Sequence, residues 1–358
     1  IYLGEGARKV MVVFSVVLLV LVGVVFVTGP AGLLNTLTSI NTQVWVVVIF
    51  AYYILATVLP VDKVIGKIYP IFGAALILMA IGIAGGLIFK GYHIPELTLQ
   101  NYYPDGAKSI FPYLFITIAC GAISGFHATQ SPLMARCVEH EREIRPVFYG
   151  SMVAEGIIAL IWAAAAMTFF GGVPQLDVIL SQGGPATVVN VISNTLMGPI
   201  GGGLAILGVV VCPITSGDTA FRSARLTIAD AMKIDQSSIK NRFMISIPLF
   251  VIGIALTFID FNIIWRYFAW SNQTLAMIFL WTGATYLLVN KKNFWIAVVP
   301  AIFMSYVSVS YILQAPEGFR LNAMFSNGVG VVAAIVLFVL FMLNKNKFVK
   351  NKDSKNIA

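Results

Sequence analysis

Long apolar runs separated by short polar stretches dominate the chain. Ten segments, at about 10–28, 44–60, 70–89, 110–130, 149–170, 203–221, 243–259, 262–289, 294–313 and 325–343, are apolar over most of their length. A bilayer core of about 30 Å needs roughly 20 such residues in a helix. The runs are continuous instead of alternating in ten-residue units, so they predict helices and not barrel strands. The expectation is an all-α, polytopic membrane helix bundle of about ten transmembrane helices, some of them broken. The one lengthy connection, 171–200, is rich in Gly, Pro and Asn and has room for a short interfacial helix. Residues 1–344 are taken as a single transmembrane transporter domain, and 345–358 as a basic cytoplasmic tail.

Composition sharpens this picture. The 358 residues are 59% hydrophobic and 11% charged, with a mean hydropathy of +0.89. A soluble chain is about 25% charged, so a soluble enzyme, a nucleic-acid module and a disordered linker are excluded. The net charge of +8 follows the cytoplasmic excess of Lys and Arg in membrane proteins. With the C-terminal tail inside, the inner side gathers Arg8, Lys9, Lys63, Lys67, Arg136, Arg142, Arg145, Arg222, Arg225, Lys233, Lys240, Arg242, Lys291, Lys292, Lys345, Lys347, Lys350, Lys352 and Lys355. Only Lys90, Lys108, Arg266 and Arg320 fall outside. This split places both ends of the chain in the cytoplasm. Cys120, Cys137 and Cys212 are an odd set, read as reduced thiols and not a disulfide framework.

Polar groups at membrane depth are the informative ones, because a span that only crosses could be apolar throughout. The fourth span carries Ser124, His127, Thr129 and Gln130. The sixth carries Thr215, Ser216, Asp218 and Thr219, and the eighth carries Asn272 and Gln273. Glu155 lies about two turns into the fifth. In the sixth span Pro213 removes a backbone donor and Gly217 relaxes the helix, so the ladder is expected to break between them. A broken helix exposes carbonyls for a cation and N–H groups for an anion, which is how transporters build midplane sites. Asp218 is expected to serve function; the alternative is a pair with Arg222 one turn on. His127 has three readings: a proton relay or substrate ligand, a metal ligand with Cys137 and His140, or a capped histidine at a helix end. Glu155 is either functional or buried against an arginine. Asn272 and Gln273 either line a pathway or bond neighbouring helices. Arg266 reads as an outer-interface anchor among aromatics.

Several of these stretches, long and ungapped, resemble the carbon starvation protein A family. They are Ser124-Gly125-Phe126-His127-Ala128-Thr129-Gln130-Ser131-Pro132 with Met134-Ala135-Arg136-Cys137, then Arg145 to Gly150 continuing through Ala154-Glu155-Gly156. Pro213 to Arg225 and Trp265 to Gln273 complete the set. The resemblance covers about 120–275. It implies a bacterial or archaeal inner-membrane uptake system linked to carbon starvation, importing peptides or, in some members, pyruvate by proton symport. It also implies an architecture like that of amino acid–polyamine–cation transporters, with broken helices and inverted repeats. Family members carry further N-terminal spans. The chain opens on Ile1, so part of the substrate site is expected upstream.

The expected function is therefore a secondary transporter, not an enzyme, for a peptide or a small carboxylate such as pyruvate. Proton or sodium is the coupling ion, and no other cofactor, metal or nucleic acid is called for. Asp218, His127 and Glu155 are the candidate coupling groups. No phosphate-binding G-x-x-x-x-G-K-[ST] motif occurs. The competing readings are a channel or membrane sensor, and an intramembrane serine hydrolase built on Ser124 and His127. Two residues three apart on a helix share a face but rarely hold the geometry for proton abstraction.

Overall fold

The structure is a computed structural model. It describes the backbone of residues 5–58, 61–94, 96, 100–103 and 108–353, and within these the side chains of all but 5, 58, 61–69, 119–122, 206 and 350–353. The side chain of Cys120, those of Lys63 and Lys67, and the tail beyond 353 lie outside the described residues. Among the described residues every regular element is a helix. In chain order these are α1 (Glu5–Thr38), α2 (Thr42–Val58), α3 (Val61–Phe89), α4 (Ile110–Ala122), α5 (Gly125–Ala135), α6 (Ser151–Phe169) and α7 (Val173–Ala205). They continue as α8 (Cys212–Met232), α9 (Ile239–Leu256), α10 (Phe261–Val289), α11 (Trp295–Gln314), α12 (Ala323–Leu343) and α13 (Lys345–Asp353).

Each of the ten apolar runs falls on helix over most of its described length, the fourth as the pair α4 and α5. Among the described residues six helical stretches are long and apolar enough to cross a membrane, and a bent pair, α7 with α8, makes a seventh. The chain is thus a multi-pass membrane protein. The connection at 171–200 is a correction to the sequence reading: it is helical through most of its length, as α7. Gly184 and Gly198 interrupt it at φ of 68° and 64°, each directly before a proline. Glycine accepts the left-handed conformation at each break, and the following proline suits the first turn of the resumed helix.

The chain divides into two compact units. The first holds residues 1–18, 108–139 and 262–358. Here α11 and α12 are the closest partners, because both present small residues at four-residue spacing. Ala297, Ala301 and Ser305 line α11, and Ser326, Gly330 and Ala334 line α12, all buried. Small side chains let membrane helices approach closely where the hydrophobic effect gives no drive. Trp281 of α10 donates to Ser305 Oγ at 3.0 Å, within a cluster that includes Leu288, Val298 and Phe341. On the other side α4 packs on α11 through Ile116, Val307 and Tyr311, and Phe111 stacks on Tyr306 at 4.3 Å.

The second unit holds residues 19–107 and 140–261. One core joins α3, α6 and α7 through Met79, Ile83, Leu87, Ala165, Val188 and Ile192. A second gathers aromatic rings from α2, α8 and α9: Phe221 lies 5.3 Å from Phe250, 5.7 Å from Tyr53 and 5.9 Å from Phe50. The Phe221 ring fits only because Gly23 and Gly253 present no side chain to it; a Cβ on Gly253 would fall 2.8 Å from its Cζ.

Candidate functional site

The α4–α5 break sits beside α10 in the first unit. α4 stops at Ala122 and α5 resumes at Gly125, with Ser124 extended between them (φ −99°, ψ 127°). The cause is tertiary. Gly125 is pressed onto the backbone of α10, where a Cβ would meet Asn272 O, Leu275 Cβ at 2.8 Å and Ala276 N at 3.1 Å. No side chain fits there, and α5 can begin only on a glycine. Asn272 then caps α5 from outside. Its Oδ1 accepts the Phe126 N–H at 2.7 Å and the Ser124 hydroxyl at 3.1 Å. An Asn oxygen at a helix start satisfies one of the N–H groups the helix leaves open.

Other polar groups of this cluster turn inward on themselves. Thr129 Oγ1 donates to Phe126 O at 2.6 Å, and Gln130 Nε2 donates to Thr129 Oγ1 at 3.1 Å. His127 is half-buried, its ring 6.1 Å from that of Phe126, and its carbonyl accepts the Ser131 hydroxyl at 2.8 Å. Asn272 and Gln273 are 1% and 0% exposed. Asn272 Nδ2, both amide atoms of Gln273 and Thr274 Oγ1 have no hydrogen-bond partner among the described residues. Leaving a buried donor or acceptor unmade costs about 1–3 kcal/mol, so a run of such groups in one helix asks for a functional account. Amide donors beside a helix N-terminus form a neutral, donor-rich setting suited to a carboxylate.

Asp218 anchors a second cluster, in the second unit. It is buried on α8 and pairs with Arg222, Nη2 to Oδ2, at 2.9 Å. The i,i+4 alternative raised from the sequence is therefore the observed arrangement. Arg225, also buried, donates to Gln236 Oε1 at 3.1 Å. A cavity of about 10 Å³, lined by Ala56, Thr57, Asp218, Phe221, Arg222, Arg225, Ser246 and Phe250, adjoins the pair. That is room for one water-sized molecule. Behind Asp218, Gly217 admits the Tyr53 hydroxyl against the α8 backbone, and this fully buried hydroxyl has no hydrogen-bond partner among the described residues.

The expected break between Pro213 and Gly217 does not occur. α8 runs unbroken from Cys212, and the irregularity lies upstream, as a π-helical stretch at Ile206–Val211 where α7 and α8 bend by 42°. Pro213 comes just after this stretch, so the donor it lacks falls where the chain passes from π- to α-helix. The hydroxyls take up carbonyls of their own helix. Thr215 and Ser216 both donate to Cys212 O, at 2.8 and 3.1 Å, and Thr219 donates to Thr215 O at 3.0 Å. Glu155 is half-buried on α6, whose packing partners include α3 and α7.

One group escaped the sequence reading. Glu317, in the turn before α12, has a side chain only 1% exposed and pairs with Arg266 at 3.1 Å. The Tyr311 hydroxyl donates to its Oε1, and the Tyr267 hydroxyl donates to its carbonyl at 3.0 Å. Arg266 thus holds an ion pair, not merely an aromatic-rich interface. A glutamate in a Pro-Glu-Gly turn carries no pattern that marks it as buried. Outside the spans, hydrogen bonds from Ser237 hold the Asp235 carboxyl below its ordinary value. Cys137 and Cys212 are free thiols, and the described residues contain no group of three metal-ligating side chains.

Comparison with known proteins adds an independent line. The family model for carbon starvation protein CstA matches residues 3–173 and 165–311. An uncharacterized membrane protein of Haemophilus influenzae is 39% identical over 235 residues, 51% of this chain and 63% of its own length. The peptide transporter CstA of Bacillus subtilis is 26% identical over 327 residues, 78% of this chain and 55% of its own length. The pyruvate/proton symporter BtsT of Escherichia coli is 37% identical over 94 residues, 24% of this chain and 13% of its own length. The chain therefore spans less than two thirds of each of these relatives. No solved structure matches it.

Proposed function

This chain belongs to the carbon starvation protein CstA family, and from that premise we propose that it works in a secondary active symporter. The cargo is a peptide or a small carboxylate such as pyruvate, moved inward across the inner membrane with a proton as the coupling ion. Ten spans place both ends of the chain in the cytoplasm. The polar groups at the α4–α5 break and on α10, Ser124, His127, Asn272 and Gln273, receive the cargo's carboxylate. Asp218 carries the coupling proton, with His127 and Glu155 as further exchange groups. Thr129, Gln130, Thr215, Ser216 and Thr219 hold the local helix geometry.

The observation that carries this reading is Asp218 itself. An acidic side chain at the centre of a membrane helix costs about 2.5–3.5 kcal/mol on insertion scales, and this one is buried beside Arg222 and a one-water cavity. Protonating the carboxylate neutralises it and weakens its hold on Arg222, which gives the pair two arrangements that a proton gradient can bias. Relatives that carry functional names include a peptide transporter and a pyruvate/proton symporter, and both kinds of cargo present a carboxylate.

Uptake of labelled pyruvate and of a labelled dipeptide into proteoliposomes, with and without an inward pH gradient, tests the proposal. Accumulation is expected only with the gradient, unchanged by sodium, and abolished in Asp218→Asn while counterflow exchange of the cargo persists. Gradient-driven accumulation by Asp218→Asn at the level of the parent protein would remove Asp218 from coupling. Sodium-dependent accumulation would replace the proton as the driving ion.

A further inference from the structure

We propose that the α13 end of the first unit is a binding surface for anionic phospholipid headgroups. α12 ends at Leu343, and after Asn344 the chain resumes as α13. This short helix does not trail freely. Phe348 packs into the cluster around Trp281, Phe294 and Phe341, with its ring 6.2 Å from that of Phe341. Lys345 places its ammonium over the Phe294 ring, 4.9 Å from the centroid. Both contacts pin α13 against the turn between α10 and α11.

That turn supplies the rest of the surface. It carries Lys291 and Lys292, both exposed, immediately before Phe294. Lys347 is likewise exposed. The stretch 290–295 contains no acidic residue, and the one acidic residue of α13 is Asp353, at its last position. Four lysines, Lys291, Lys292, Lys345 and Lys347, are therefore gathered from two separate chain segments at one end of the unit.

Apolar groups next to the charges fix the level of this surface in a membrane. Trp295 stacks on Phe294 at 5.3 Å and is 45% exposed, while Ile296, Val299 and Leu343 are 72%, 61% and 75% exposed. Aromatic side chains at the edge of an apolar band, with lysines just beyond them, match the headgroup zone of a bilayer. Clustered lysines directly after a transmembrane helix attract anionic headgroups over zwitterionic ones. The pinned helix holds part of this charge in fixed geometry, so less ordering is needed on binding.

The test uses the purified full chain in neutral detergent, titrated with phosphatidylglycerol or phosphatidylcholine, with bound lipid counted by native mass spectrometry. Phosphatidylglycerol is expected to bind at least about tenfold more tightly, and the quadruple variant Lys291→Gln/Lys292→Gln/Lys345→Gln/Lys347→Gln to lose that preference. A variant with equal charge removed elsewhere, Arg136→Gln/Arg142→Gln/Arg145→Gln/Lys240→Gln, is expected to keep it. Phe348→Ala retains every charge but releases α13, and is expected to weaken the preference. Equal binding of the two lipids would overturn the proposal. So would a preference that survives the quadruple lysine variant, or one lost equally in the matched variant. An unaltered preference in Phe348→Ala would mean that charge alone, without the built surface, attracts lipid. Displacement of the lipid by millimolar glycerol phosphate would mark a site for free phosphate and would equally defeat the proposal.

Discussion

Asn272→Ala is the sharpest test of how the α4–α5 break is held. The carboxamide is almost fully buried, and its Oδ1 accepts both the Phe126 N–H and the Ser124 hydroxyl. Losing a helix cap costs about 1 kcal/mol, within a range of about 0.5–2. Losing the second bond costs about 0.6 kcal/mol on the scale measured between membrane helices. Against this, the substitution removes an Nδ2 that has no partner among the described residues, returning about 1 kcal/mol or somewhat more. A residual cavity of part of a side chain adds back about the same amount. The net expectation is a loss of about 1–2 kcal/mol. The assay is thermal unfolding of the purified protein in detergent, in which Asn272→Ala melts about 2–6 °C below the parent. Ser124→Ala, which gives up only the weaker bond, is expected to lose about 0.5 kcal/mol. The double variant Ser124→Ala/Asn272→Ala should be no less stable than Asn272→Ala alone, because the shared bond can be lost only once. Strict additivity of the two single losses, or an Asn272→Ala protein that melts with the parent, would refute the capping account.

Three further outcomes follow from contacts described above. Gly217→Ala places a methyl against the Tyr53 hydroxyl, 3.0 Å from its Cζ and 3.2 Å from Phe26 Cβ. It is expected to destabilise by about 1–3 kcal/mol, and Tyr53→Phe, neutral by itself, should restore most of the loss in thermal scans. Glu317→Gln leaves Arg266 without its carboxylate. The guanidinium is about one-third exposed, so the penalty should stay below the roughly 3–5 kcal/mol of a fully buried pair, near about 1–2 kcal/mol, and added salt should shrink the difference from the parent. The Asp235 carboxyl is held below its ordinary value of 3.8 by the Ser237 hydroxyl and N–H. Its contribution is therefore present above pH 3.8 and disappears as the pH falls through the lowered value. Asp235→Asn should melt below the parent at pH 7, and the two should converge in acid; a gap that persists in acid would contradict the assignment.

The bilayer made the helices legible, because spanning it demands long apolar runs that no other constraint produces. What the pattern hid was how helices start and stop. Residues 171–200 look like a connection, since Gly-Pro pairs at 184–185 and 198–199 are ordinary turn signals. In α7 the same pairs end one helical piece and open the next. The break assigned to Pro213 followed from its missing donor, yet the irregularity lies upstream of it, at Ile206–Val211, and α8 itself runs on unbroken. The break at Ser124-Gly125 has no proline at all; it exists because Gly125 meets the α10 backbone, a contact invisible from neighbouring residues. The polar candidates were found by depth alone, and depth does not say where a hydroxyl points. Thr215, Ser216 and Thr219 point to their own helix, whereas Asn272 reaches across to another. Glu317 was missed for the converse reason: it lies in a turn, outside every apolar run.

The π-helical stretch at Ile206–Val211 acts as a phase setter. Successive residues of an α-helix are about 100° apart around its axis, and a wider turn accommodates one extra residue without lengthening the α-helices on either side. Removing a single residue between 206 and 211 would let the stretch close into ordinary α-helix with the face of α8 unturned relative to α7. Asp218 and Arg222 would keep their mutual spacing and their ion pair. Their common face would stay toward Thr57 and Ser246, whereas one residue added in the same stretch, beyond the one the wide turn already absorbs, would swing that face away and take the charged wall from the one-water cavity. A one-residue insertion is thus expected to silence the coupling group and a one-residue deletion to spare it, with every side chain of the pair intact in both, a separation between chemistry and aim that no point substitution at Asp218 can produce.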